Sequence, residues 1–259
     1  MKKIFLLSFL VLAFIIHVTA QTFVSTIASN KKPILEEMTG WTCPNCPAGH
    51  TIAATILSAN MGNVLVIAYH PTGSSYTNGD PMVSAYAGAF YNGPFISATT
   101  GSRYMPSAMV NRKTSTTGDR ILGRDEWTAK VNTAKLESSP LNVGVSSSYN
   151  SSSKILTVNI EVYFTADVTN TLTLYAMITE DGIIANQSGG SSTYVHNHVF
   201  RQALPNPSPA QWGQAIVAPT TKGSLKTITY TFDNSTTNYN MSKCEIISFV
   251  RNASNEEII

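Results

Sequence analysis

Charge is scarce in this chain: 17 lysines and arginines and 15 aspartates and glutamates leave only 12% of its 259 residues charged. A set so sparse and so nearly balanced offers no basic stripe for a phosphate backbone, which argues against nucleic acid as a partner. Cysteine is rarer still, with three in the whole sequence. That is too few to staple a chain of this length as a disulfide framework, so attention shifts from cross-linking to chemistry. Long apolar runs are missing after the N-terminus. Even there, Ile4 to Ile16 is shorter than the about 20 residues that span a bilayer, so no transmembrane segment is expected in the mature chain.

What the sequence does have starts at that first run. Lys2 and Lys3 precede it and Val18-Thr19-Ala20 follows it, the pattern of a secretory signal peptide cleaved after Ala20. The new N-terminus would be Gln21 rather than a cysteine, which argues against a lipid anchor. Export is therefore expected, into a compartment where disulfides persist. Five N-x-S/T sequons, at Asn150, Asn186, Asn234, Asn240 and Asn252, accompany a composition rich in Ser, Thr and Asn.

Two textures meet near Pro140. Before it, strand and helix patterns alternate: Ile34 to Met38 as a short strand, Cys46 to Asn60 as a helix, and Val64 to Tyr69 as an apolar run fit for a strand buried on both faces. A short helix at Met82 to Tyr91, a strand at Ser107 to Arg112 and an amphipathic helix at Gly123 to Leu136 complete an α/β layout. Beyond Pro140 the helical period disappears. Leu141, Val143 and Val145 alternate with polar residues, as do Leu156, Val158, Ile160, Val162 and Phe164, which predicts an antiparallel β-sandwich. Gly182 to Ser192 and Asn206 to Lys222 read as long connections. The run Glu256 to Ile259, after a turn at Asn252 to Asn255, is short for a strand and reads as a frayed edge, or as a strand that continues past Ile259. The boundaries expected are 1–20 for the signal peptide, 21–138 for the α/β domain and 139–259 for the sandwich.

The chemistry concentrates in GWTCPNCPAGH, residues 40 to 50. A C-x-x-C soon after a strand and at the start of a helix puts unpaired N–H groups and partial positive charge beside the first sulfur, which favours thiolate. Cys43 would attack, more exposed than its partner, and Cys46 would resolve, two intervening residues letting its sulfur reach back to close a disulfide. Pro47 costs little in the first helical turn. Three readings of the pair stay open: a redox dithiol, a plain structural disulfide, or part of a metal site with His50 one turn further on. The metal reading lacks a fourth ligand. His196 and His198 would share a strand face but have no third ligand nearby, so a structural role is preferred and no metal is assigned. Cys244, in a late strand, reads as a buried and inert thiol. Glu36 reads as a solvated strand-end carboxylate.

Further features resemble the thioredoxin-like fold. Ile34-Leu35-Glu36-Glu37 stands where that fold has an apolar strand ending in a buried acid, and Glu37 takes the acid's place. The resemblance implies that Glu37 accepts a proton from Cys46, and that Met105-Pro106 carries the cis-proline facing the dithiol. Pro106, with Met105 and Trp41, would then shape the groove for a substrate backbone, although Trp41 also reads as a packing residue. A departure is that Trp41 lies two residues before Cys43 rather than directly before it.

The strings LEEMTGWTCPNCPAGH, YMPSAMVNR and VHNHVFRQALP together resemble a narrower group. These are exported Bacteroidetes proteins named after an outer-membrane protein of about 28 kDa. The resemblance covers most of the mature chain and implies an α/β thioredoxin-like N-terminal domain followed by an all-β immunoglobulin-like sandwich. It also implies a place in the periplasm or at the outer membrane and cell surface. Two functions follow as expectations. One is thiol–disulfide exchange on protein substrates bearing disulfides or thiols, which needs no cofactor. The other is surface binding or adhesion to an envelope partner, with the dithiol structural or vestigial.

Overall fold

The structure is a computed structural model that describes residues 22–92, 103–115, 118–205, 213–237 and 239–259. The expected signal peptide at 1–20 lies outside the described residues, as do 206–212 of the second long connection.

The first half runs β1 (Ile34–Met38), α1 (Cys46–Asn60), β2 (Leu65–Tyr69), α2 (Ala85–Asn92), β3 (Ser107–Val110) and α3 (Trp127–Ala134). The second half holds β4 (Leu141–Asn150), β5 (Ile155–Phe164), β6 (Leu172–Glu180), β7 (Ile183–Ala185), β8 (Tyr194–His196), β9 (Val199–Leu204), β10 (Gln214–Ile216), β11 (Leu225–Asp233) and β12 (Cys244–Asn252). Strands dominate, so the fold is sheet-rich. β1 is buried along its whole length, with β2 parallel on one side and β3 antiparallel on the other.

The change of texture near Pro140 is real, yet the hydrogen-bonded sheet crosses it. Its order is β10-β6-β9-β2-β1-β3, with β12 also paired to β6. The seam is β9, parallel to β2 at Ala68 and Val199 and antiparallel to β6. One apolar cluster accordingly mixes Ile34, Met38, Ile67, Tyr69 and Phe90 with Tyr175, Met177, Phe200 and Phe249. A separate sheet, β11-β5-β4, lays Leu156, Val158, Ile160, Val162 and Phe164 against Leu172, Leu174, Ala176 and Ile178. Burying those five β5 side chains contributes on the order of 10 kcal/mol.

Three expectations are corrected here. Glu36 is not a solvated carboxylate. It is fully buried, because β1 is central and covered on both faces, and it takes a two-pronged ion pair from Arg112 Nε and Nη2, both at 2.7 Å. β3 stops at Val110 rather than Arg112, since Asn111 and Arg112 have φ of 50° and 53°. This left-handed turn swings the guanidinium back beneath the sheet, and Asn111 Oδ1 accepts from Ile34 N at 2.8 Å to help hold it. The C-terminal run is no frayed edge either: Ile258 is buried, with its N–H donating to Asn111 O at 2.9 Å.

Arg112 lies over the rings of Phe90, Tyr175 and Phe249, and Tyr69 donates to Glu36 Oε1 at 3.0 Å. Residues from both halves thus enclose one charge pair. Replacing Arg112 with Met strands the Glu36 carboxylate and is expected to cost about 3–5 kcal/mol, the usual penalty for breaking such a pair. Denaturant unfolding monitored by tryptophan fluorescence should report that loss; an unchanged midpoint would mean the pair does not hold the halves together.

Candidate functional site

After β1 the chain turns across the top of the sheet before α1 begins. Trp41 N donates to Asp80 Oδ2 at 3.1 Å, and Cys43 N donates to Gly40 O at 3.1 Å. Cys43 and Cys46 form a disulfide with their Cα atoms 5.4 Å apart. No acidic residue sits in the first turn of α1, and Asn45 makes no side-chain cap. The positive end of the helix therefore meets the sulfurs without a protein carboxylate to neutralise it.

The Met105-Pro106 peptide is cis. Pro106 packs against α1 so tightly that a Cβ on Gly49 would meet Pro106 Cβ at 3.0 Å. Asn45, Ile52, Tyr104, Met105, Pro106 and Arg124 line an open groove of about 520 Å³ beside the cysteines. Met105 shares an apolar cluster with both sulfurs. Trp41 lines no part of that groove. Its Nε1 donates to Asn78 O at 2.9 Å, a packing arrangement.

Cys43 was expected to be clearly more exposed than Cys46, but both are sealed, with relative accessibilities of 1% and 0%. The cover is the connection between β7 and β8, which the sequence showed only as a Gly/Ser-rich loop. Gln187 Nε2 donates to Cys43 O at 2.9 Å and to Gly40 O at 3.2 Å, and Ser188 N donates to Trp41 O at 2.7 Å. Gly189 sits on Pro44, close enough that a Cβ there would be 2.1 Å from Pro44 O. A strap from the second half thus lies across the C-x-x-C.

Beneath α1 lies a cavity of about 210 Å³ whose lining includes Glu37, His50, His70, Tyr194, His196 and His198. Glu37 is buried, its Oε1 has no hydrogen-bond partner, and burial raises its pKa to about 8. It reaches α1 at Gly49, one turn beyond Cys46, where any larger residue would strike the carboxylate. His50 Nε2 stands 3.8 Å from Glu37 Oε1 and 2.9 Å from Thr39 Oγ1, and its Nδ1 is 2.9 Å from Tyr194 Oη. Burial, followed by the charges of His70 and His196, lowers the His50 pKa to about 3. His70 is held by Asp80 at 2.6 Å. His196 is lowered to about 4 mainly by burial and then by His70, partly offset by the backbone of Asn186 and by Asp80. Among the described residues no three His, Cys, Asp or Glu side chains are arranged to hold a metal. His198 turns away to Asp181. Cys244 is half-buried rather than buried, with a pKa pushed to about 12 chiefly by burial and then by Glu180, which keeps it an unreactive thiol.

Sequence reasoning noted His50 at helical spacing from Cys46 but missed Gln187 and Tyr194. The signal for Tyr194 is its alternation with His196, which sends both side chains to one strand face.

The sequence model of the family described as Outer membrane protein Omp28 matches residues 96–259. No curated protein sequence matches the chain. Among solved structures, HBP35 of Porphyromonas gingivalis superposes with a TM-score of 0.68 at 19% identity, over 89% of this chain and 74% of that one. A structural-genomics target from Agrobacterium tumefaciens gives 0.52 at 16% identity, over 89% and 90%. At these identities the likeness is one of fold.

Gly189, at φ 76°, tests the strap. Gly189→Ala should detach it, through the contact with Pro44 and the ~1–2 kcal/mol left-handed penalty. Alkylation of Cys43 in reduced protein should then quicken about tenfold. Gly182→Ala, at φ 73° with no atom near its Cβ position, should leave the rate unchanged.

Proposed function

The chain belongs to the Omp28 outer membrane protein family, and from that premise we propose that it is an envelope protein performing thiol–disulfide exchange at Cys43 and Cys46. Family membership gives the outer-membrane-associated or envelope location. No helix among the described residues is long and apolar enough to cross a membrane. In this reading β1 to α3 form a thioredoxin-like unit, and β4 to β12 an immunoglobulin-like sandwich that shares its sheet.

The observation that carries the proposal is a disulfide at a helix start with a buried carboxyl one turn below it. A plain staple has no use for Glu37. An unpartnered buried carboxyl is costly and is characteristic of sites that move protons. In the reducing direction, the Cys43 thiolate attacks a substrate disulfide, forming a mixed disulfide and expelling one substrate thiolate, which takes a proton from solvent. Cys46 gives its proton to the Glu37 carboxylate and attacks the Cys43 sulfur. The Cys43–Cys46 bond forms, the mixed disulfide breaks, and the second substrate thiolate leaves. Oxidation runs the same steps backwards. The groove at Met105 and Pro106 would take the substrate backbone.

A second reading, a surface-binding protein whose disulfide is structural, is favoured by one observation: the strap buries Cys43. Single mutants separate the two. Cys46→Ser should accumulate mixed disulfides with substrate proteins, since attack proceeds and resolution does not, whereas Cys43→Ser should trap nothing. Gel shifts under non-reducing conditions read this directly, and equal trapping, or none, favours the structural disulfide.

A further inference from the structure

A proton that reaches Glu37 has to leave again, and the dithiol side of the helix offers it little: both cysteines are buried under the strap. On its other side, the carboxylate faces His50 across 3.8 Å. Closing that gap to the ~3 Å of a hydrogen bond takes less than an ångström of movement, in which Nε2 exchanges its 2.9 Å contact with Thr39 Oγ1 for the carboxyl. His50 Nδ1 already meets Tyr194 Oη at 2.9 Å, and Tyr194 is partly open to solvent. We propose that His50 and Tyr194 form the proton path of the redox site, joining Glu37 to solvent through the β7–β8 hairpin. This rests on the exchange reading only in that Glu37 is the base for Cys46.

The groups facing His50 fit a neutral relay. His70, fixed to Asp80, directly follows β2; His196 and Tyr194 come from β8, with ring centroids 6.2 and 5.6 Å from that of His50; His198, paired with Asp181, lines the far wall. Burial, followed by the two neighbouring imidazoles, holds the His50 pKa at about 3 and so keeps the ring uncharged at neutral pH. Transfer is therefore concerted: Nε2 takes the Glu37 proton as Nδ1–H passes its own to Tyr194 Oη, whose hydroxyl proton goes to water. The ring emerges as the other tautomer without ever becoming an imidazolium. Dithiol oxidation sends a proton outward along this path, and disulfide reduction draws one inward. A full redox cycle thus restores the starting tautomer and leaves no charge on the His50 ring, the only buried charge that changes being that of Glu37. His50 and Tyr194 are positioning residues here, acting on sulfur only through Glu37.

The sequence carries the same logic. His50 is four residues from Cys46 on the helix, and Tyr194 and His196 alternate on one strand face. The hairpin that straps Cys43 also holds the outlet, so lifting the strap would disturb proton traffic and thiol access together.

The test uses the full chain, reduced and then mixed with excess oxidised glutathione. Ring closure between Cys43 and Cys46 is followed by acid quench and alkylation at pH values bracketing about 8. Wild type should accelerate as pH rises through the Glu37 titration, and Glu37→Gln should slow closure roughly a hundredfold at neutral pH and flatten the profile. His50→Gln, which keeps hydrogen bonds but carries no proton, should slow it about tenfold with an unchanged unfolding midpoint. Tyr194→Phe should lie between His50→Gln and wild type. Added imidazole should restore His50→Ala, an effect that a merely structural histidine would not give. Wild-type rates in both His50→Gln and Tyr194→Phe alongside a slow Glu37→Gln overturn the relay, as does a Glu37→Gln rate equal to wild type. Because glutathione is the oxidant, a chain inactive on protein disulfides still reports the relay, so failure of the exchange reading is separable from failure of this one.

Discussion

The fold hangs on a charge pair sealed inside it. Arg112 and Glu36 are both fully buried, joined by two hydrogen bonds at 2.7 Å, and roofed by Phe90, Tyr175 and Phe249. Buried pairs of this kind are seldom strongly stabilising in themselves, because desolvation consumes the Coulomb gain, but they punish any arrangement that leaves one partner alone. Glu36 comes from the central strand of the first half, while Tyr175 and Phe249 come from β6 and β12 of the second. Pulling the halves apart would open the pair's apolar roof. That is why a chain of two textures is built on one sheet.

The shared sheet has a consequence for the site. With β9 paired to β2, the hairpin just before β9 is delivered to the end of β1 and α1 where the cysteines lie. Gln187 and Ser188 then bond the backbone around the C-x-x-C, and Tyr194 bonds His50. One short hairpin lies over the C-x-x-C and also touches His50 on the other side of α1. The site therefore belongs to both halves, although its two sulfurs and its buried acid are encoded within ten residues of β1 and its following turn.

What the sequence disclosed, and what it hid, divides along contact distance. The alternation in β5 and the apolar run of β2 encode which face is buried, and both elements formed as read. The C-x-x-C at a helix start was legible as a local motif, and the cis peptide at Pro106 only through the resemblance to the thioredoxin-like fold. Glu36 was misread because its partner lies 76 residues away, beyond any periodicity. The strap was invisible for the same reason: Gln187 is 144 residues from Cys43, and a Gly/Ser-rich loop carries no pattern that says where it docks. Glu37 lay between these cases. Its position matched a known arrangement, but its burial depends on α1 packing over it at Gly49, where the missing side chain leaves room for the carboxylate.

The central claim is that Cys43 and Cys46 are a working couple held under a movable cover rather than a staple. The reduction potential of that couple, measured by equilibration with defined thiol–disulfide buffers, tests this most directly. The account predicts a value within the span of exchange proteins, about −270 to −120 mV; one below about −300 mV, where structural disulfides of secreted proteins fall, would contradict it.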